Sequence, residues 1–137
     1  MGLRYGLAVV IAAAVFAMLS RPASAAMLMT DEKAAQVVGL RDVTVQDGEV
    51  KGQVVNQSKQ ALREVQLQIL YSWRWKDEWH PGADDPGRAV YSTVNQEIAP
   101  GQSARFSYTP SPPLPARKDG FFDVSVKVVG FTQVFYP

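Results

Sequence analysis

The chain has 137 residues, a formal net charge of +1 and no cysteine. Disulfide staples and thiolate metal sites are thereby excluded, and no basic run supplies the footprint that nucleic acid or an anionic membrane surface requires. Lys and Arg stand singly among Asp and Glu, the pattern of an ordinary solvated surface.

Arg4 opens the chain with a positive charge, and an uninterrupted apolar run follows from Gly6 to Leu19. That run is shorter than the roughly 20 residues a helix needs to cross a bilayer. Arg21 and Pro22 interrupt it, and Ala23-Ser24-Ala25 supplies the small-x-small pattern of a signal-peptidase site. Residues 1–25 therefore read as a cleaved signal peptide, against the alternative of an uncleaved anchor. The mature chain, from Ala26, is expected in the periplasm or outside the cell. It loses Arg4 and Arg21, which leaves a formal charge of about −1, and retains no membrane anchor. What remains fits one domain of roughly 110 residues, enough to bury a core without a metal or a staple.

Residues 26–39 form a lead-in. Thr30-Asp31-Glu32 fits the cap of a short helix reaching Val38, and fits an extended lead-in equally; Gly39 would end either. From Leu40 the apolar period is two. Val43-Thr44-Val45-Gln46 and Glu49 to Val54 flank Asp47-Gly48, a favoured two-residue hairpin turn. Closing it sets Gln46 opposite Glu49, Val45 opposite Val50 and Val43 opposite Gly52, with the valines on one face.

After the polar connection Asn56 to Gln60 comes the longest strand, with Val65, Leu67, Ile69, Tyr71, Trp73 and Trp75 on alternate positions. Leu70 is the apolar exception on its wetter face. Lys76 to Arg88 reads as a loop carrying Pro81-Gly82 and Asp84-Asp85-Pro86-Gly87. Val90, Val94 and Ile98 suggest another strand, Ala99 to Gln102 a turn, and Ala104, Phe106 and Tyr108 the inward face of the next. The proline-rich stretch Pro110 to Pro115 either crosses between sheets or follows an edge. Phe122, Val124, Val126 and Val128 mark a last long strand, followed by an apolar end, Phe131 to Tyr136, that pairs with its own sheet or donates to a partner's. Together these predict an all-β fold, a single Ig-like antiparallel β-sandwich of about seven strands over 40–137.

Val50-x-Gly52-x-Val54-x-Asn56-x-Ser58 and Ile98 to Phe106, with Pro100-Gly101-Gln102-Ser103, resemble the FxLYD-type and related Ig-like domains of exported bacterial proteins. The resemblance covers about Val43 to Val128. It departs from that family at the strand that gives it its name, where Gln68-Ile69-Leu70-Tyr71-Ser72 keeps Leu70 and Tyr71 but lacks the Phe and the Asp. The resemblance implies an accessory or adhesive role without transferable catalytic residues, and structural roles for Gly52, Asn56 and Pro100-Gly101.

The candidate ligand-binding residues are Trp75, Trp79, His80 and Arg74. Tyr71 and Trp73 continue the buried side of their strand, whereas Trp75 lies at its end and Trp79 stands among Lys76, Asp77, Glu78 and Pro81. Rigid, amphipathic rings suit the stacking of sugars or prolines, with Arg74 or His80 placed to supply a hydrogen bond. The sole histidine, His80, has neither a nucleophile nor an orienting group in any recognisable motif, so no catalytic residue is assigned and no enzyme is expected. Zinc would need more nitrogen or sulfur ligands. Asp77, Glu78, Asp84 and Asp85 are oxygen donors for calcium in principle, but their spacing fits solvated turns better. No metal or cofactor is therefore expected. Pro112-Pro113-Leu114-Pro115, beside Arg117 and Lys118, fits a partner's polyproline groove or a fixed crossing between sheets, the latter being preferred. The sequence thus points to an exported, non-catalytic binding or accessory module for an envelope or extracellular protein. A carbohydrate-binding module using Trp75 and Trp79 is the alternative.

Overall fold

The computed structural model describes residues 30–136, so the expected signal peptide at 1–25 lies outside the described residues. No helix among the described residues is long and apolar enough to cross a membrane. The chain runs α1 (Asp31–Val37), β1 (Val38–Gln46), β2 (Glu49–Asn56), β3 (Ala61–Trp75), β4 (Arg88–Val94), β5 (Ser103–Tyr108) and β6 (Gly120–Val134). These form two three-stranded antiparallel sheets, ordered β1-β2-β5 and β4-β3-β6, packed over a common apolar core. The fold is an all-β sandwich. It has six strands among the described residues, because the apolar end continues β6 as far as Val134 and pairs there with Ala61, Leu62 and Arg63.

Of the two readings of the lead-in, the helix is the one found. The Thr30 side chain accepts from the Lys33 N–H at 3.3 Å, with Asp31 and Glu32 in the first turn facing the positive end of the helix. The helix stops at Val37, and β1 begins at Val38, two residues before the expected boundary. Gly39 therefore sits inside β1, where a Cβ would stand 2.8 Å from Gln57 Nε2.

The hairpin closes with Gln46 opposite Glu49 and Val45 opposite Val50. A bulge follows. Arg41 faces Gln53 and Thr44 faces Lys51, so Asp42 and Val43 share the single partner position of Gly52. Asp42 takes a φ of 54° to turn this corner. Gly52 has no room for a side chain, since a Cβ would lie 2.9 Å from the tip of the Phe106 ring and 3.1 Å from Val43 Cγ2.

Alternation along β3 buries Val65, Leu67, Ile69 and Tyr71 completely, because this central strand has a sheet neighbour on each side and the other sheet beneath. Each such side chain contributes about 1.5–3 kcal/mol. The connection from β2 to β3 is held by Asn56, which is fully buried. Its Nδ2 donates to Gln60 O at 2.7 Å and Ile98 O at 2.9 Å, and its Oδ1 accepts from the Ser58 N–H and hydroxyl. Every polar atom of that buried amide is satisfied. Ile98 forms an isolated bridge with Leu62 instead of extending β4. The segment Pro110 to Pro115 leads from β5 in one sheet toward β6 in the other, as a crossing between sheets would. Pro110 and Leu114 pack on the hairpin turn at Gly48.

Candidate functional site

The period of β3 sends Tyr71, Trp73 and Trp75 to the inner face and Arg74 to the outer one. Tyr71 is core. Its hydroxyl donates to Gly48 O at 2.7 Å, and burial pushes its pKa upward. Trp73 is 8 % exposed and meets Phe122 edge-to-face at 4.8 Å. The Cε2–Cζ2 edge of its indole lies 2.6 Å from where a Cβ on Gly120 would stand, so β6 must start with glycine. Trp73 Nε1 has no hydrogen-bond partner among the described residues.

Trp75 is half-buried and occupied. The His80 ring lies parallel to it, with 3.8 Å between centroids and 4° between planes. Trp73 meets it edge-on at 6.0 Å, and the Arg117 guanidinium lies 5.4 Å from its centre and 5.0 Å from that of Trp73. Arg117 is the joint of this end of the sandwich. It grips Asp119 through Nε and Nη2, and its Nη1 donates to Asp84 O at 2.8 Å, tying the β3–β4 loop to the crossing before β6. Hydrogen bonding to Arg117 holds the Asp119 carboxyl below its ordinary pKa, and the same contact pushes the guanidinium upward. Lys76 N–H donates to Asp119 O at 3.0 Å, and Asp85 Oδ1 accepts from Gly87 N–H at 2.8 Å.

On this anchored loop Trp79 stands 83 % exposed. An indole left in water forgoes about 4 kcal/mol of burial. Arg74 takes the opposite side of β3 and pairs with Asp123 at 3.3 Å. The four candidate residues therefore divide three ways. Trp75 and His80 cap each other, Trp79 projects alone, and Arg74 belongs to the outer face. The acids of the loop do not gather; among the described residues no group of three or more His, Asp or Glu is placed to hold a metal ion. Sequence reasoning assigned Arg117 to the neighbourhood of the prolines and gave Asp119 no role. They pair with each other locally, but the groups they tie down, Trp73, Trp75, Lys76 and Asp84, lie more than thirty residues away, and no local pattern signals those contacts.

No family model, curated protein or solved structure matches the chain.

Proposed function

We propose that this protein is an exported, non-catalytic binding module that docks on an envelope or extracellular protein through the loop carrying Trp79. The observation that carries the reading is the single free ring. A sugar platform works by presenting aligned faces, but the face of Trp75 that lies against His80 is already taken. One exposed aromatic on a braced loop matches instead the isolated aromatic anchor around which protein interfaces concentrate their energy. An accessory role agrees with the resemblance to FxLYD-type and related Ig-like domains, and the leader-like residues 1–25 support export. The test is a photo-crosslinking amino acid at position 79 in the producing cell, with position 107 on the far sheet as control. Enrichment of one protein at 79 alone is the expected result. Equal labelling at both positions, or none at 79 across growth conditions, would refute the reading.

The carbohydrate alternative keeps one specific support, the demonstration by His80 that a flat ring fits on Trp75. It requires His80 to leave, so His80→Ala should create or strengthen glycan binding if that reading holds.

A further inference from the structure

The side of the sandwich between β1 and β6 is closed along only part of its length among the described residues. Both strands end their sheets there, and α1 touches both. Val45 faces the interior, since it stands opposite the fully buried Val50, and Val43 points the same way, toward Gly52 and Phe106. Yet Val43 and Val45 are 40 and 45 % exposed. Facing the same interior from β6, Phe122, Val124 and Val126 sit opposite Trp73, Tyr71 and Ile69 but are only half-buried. Beside α1 this side keeps an apolar groove of about 300 Å³, lined in part by Ala34, Ala35, Leu40, Val126 and Val128. The two edges differ. β1 is broken by its bulge at Asp42, whereas β6 runs against β3 without a register shift from Gly120 to Val128 and so offers a regular edge for pairing.

We propose that a second copy of this chain covers that side, its β6 pairing antiparallel with β6 about a two-fold axis at Ser125. The charge pattern selects both the occupant and the register. Asp123 and Lys127 share the outer face of β6, one on either side of Ser125. Turning the strand about Ser125 sets Asp123 opposite Lys127 of the second copy, and Lys127 opposite its Asp123, so the edge complements itself twice. Each charge already has a partner of the right sign in its own chain, Arg74 at 3.3 Å from Asp123 and Asp31 at 3.7 Å from Lys127. Pairing links these into two rows of alternating sign, each running from Arg74 and Asp123 to Lys127 and Asp31 of the second copy. A two-fold at Asp123 or Lys127 would set like charges face to face, and one at Val124 or Val126 would leave both opposite uncharged residues. The apolar face agrees with the same register. It brings Val124 of the second copy to Val126, and its Phe122 to Val128, where the groove beside α1 is open to a ring. The paired stretch, Phe122 to Val128, lies wholly inside the regular run of β6. Two open interiors then face each other, and the inward-facing valines of β1 are shielded from water.

The charges supply a control that misfolding cannot imitate. The full exported chain and its Asp123→Lys and Lys127→Asp variants are compared by analytical ultracentrifugation, each alone and the two variants in equimolar mixture. The parent is expected to dimerise, and each variant alone to do so at least about tenfold more weakly, because two facing pairs of opposite charge become pairs of like charge. Mixing the variants restores opposite charges at both places, so a one-to-one heterodimer of about the parent's affinity should return. A parent still monomeric at about 1 mM, variants that dimerise as the parent does, or a mixture that stays monomeric would each overturn the proposal. The absence of cysteine allows a second readout that leaves the charges in place. Dibromobimane, which bridges neighbouring thiols, should join two Ser125→Cys chains at least about tenfold faster than two Ser107→Cys chains, because the paired strands hold position 125 beside its own copy. Equal rates would equally overturn it.

Discussion

Replacing Asn56 with alanine should be among the most damaging single changes on a polar residue in this chain. The amide is fully buried at the exit of β2 and makes four hydrogen bonds, two donated to Gln60 O and Ile98 O and two accepted from Ser58. Two of the abandoned partners are partly compensated. Ile98 O keeps the Leu62 N–H, and Gln60 O keeps the Ser58 hydroxyl. The Ser58 N–H keeps no protein acceptor. With about 1 kcal/mol net for each lost bond and a further penalty for that donor, offset where partners survive, the loss is about 3 kcal/mol. For a domain of this size that lowers Tm by about 12 °C. Thermal and urea melts followed by tryptophan fluorescence measure it directly. Ser58→Ala should cost about 1 kcal/mol, and the double variant should depart from the sum, because the two side chains share the Ser58 hydroxyl–Asn56 Oδ1 bond and both donate to Gln60 O. A loss below about 1 kcal/mol for Asn56→Ala, or strict additivity with Ser58→Ala, would refute the role of this clamp in joining β2, β3 and the Ile98 turn.

Gly120→Ala should destabilise by about 3 kcal/mol or more, because the new methyl meets Arg74 O at 2.3 Å and the Trp73 indole at 2.6 Å, neither of which can yield without moving β3; a melt within about 0.5 kcal/mol of the parent would contradict the packing described. Trp79→Ala should leave stability within about 0.5 kcal/mol of the parent while removing partner capture, since the ring contacts mainly water. Tyr136→Phe should raise the Glu97 pKa toward its ordinary 4.5, because the Tyr136 hydroxyl is the first cause of its lowering, ahead of Arg63. The stabilising contribution of Glu97 is complete above that ordinary value and fades as pH falls through the lowered one, so the variant should lose the part of this acid dependence that Tyr136 supplies and keep the part due to Arg63; Tyr136 itself, raised chiefly by Glu97, contributes below its ordinary range and fades at alkaline pH. An unshifted Glu97 carboxyl in an NMR titration would show that the contact does not persist in solution.

Strand faces were legible in the sequence where side-chain period and turn chemistry agree. Asp47-Gly48 fixed the pairing of Val45 with Val50, and the six alternating apolar positions from Val65 to Trp75 marked the inner side of β3. The bulge at Asp42 and Val43 does leave a trace in the sequence, because an extra residue breaks the two-residue period: Leu40 and Val43, which face the same side, stand three apart. The helix at Asp31 was one of two readings, since a seven-residue helix owes its stability to Ala34 packing on β1 and β6, a contact no local signal reports. Strand order was out of reach because alternation assigns faces but not neighbours. At the aromatic site, the charged surroundings of Trp79 mark it as the candidate for exposure, beside the alternative of a ring folded back on the sandwich, and the ring is exposed. The capping of Trp75 by His80 carries no such mark, because it depends on a loop pinned by Arg117 from the far end of the chain.

The most direct test of the account is the solvent accessibility of the three tryptophans, read as fluorotryptophan NMR signals with a soluble quencher and assigned by Trp→Phe variants. The account predicts a Trp79 signal broadened nearly as strongly as free tryptophan, an intermediate Trp75 and a protected Trp73. A Trp75 signal as accessible as that of Trp79 would contradict it, because the His80 cap would then be open and two rings, not one, would face the solvent.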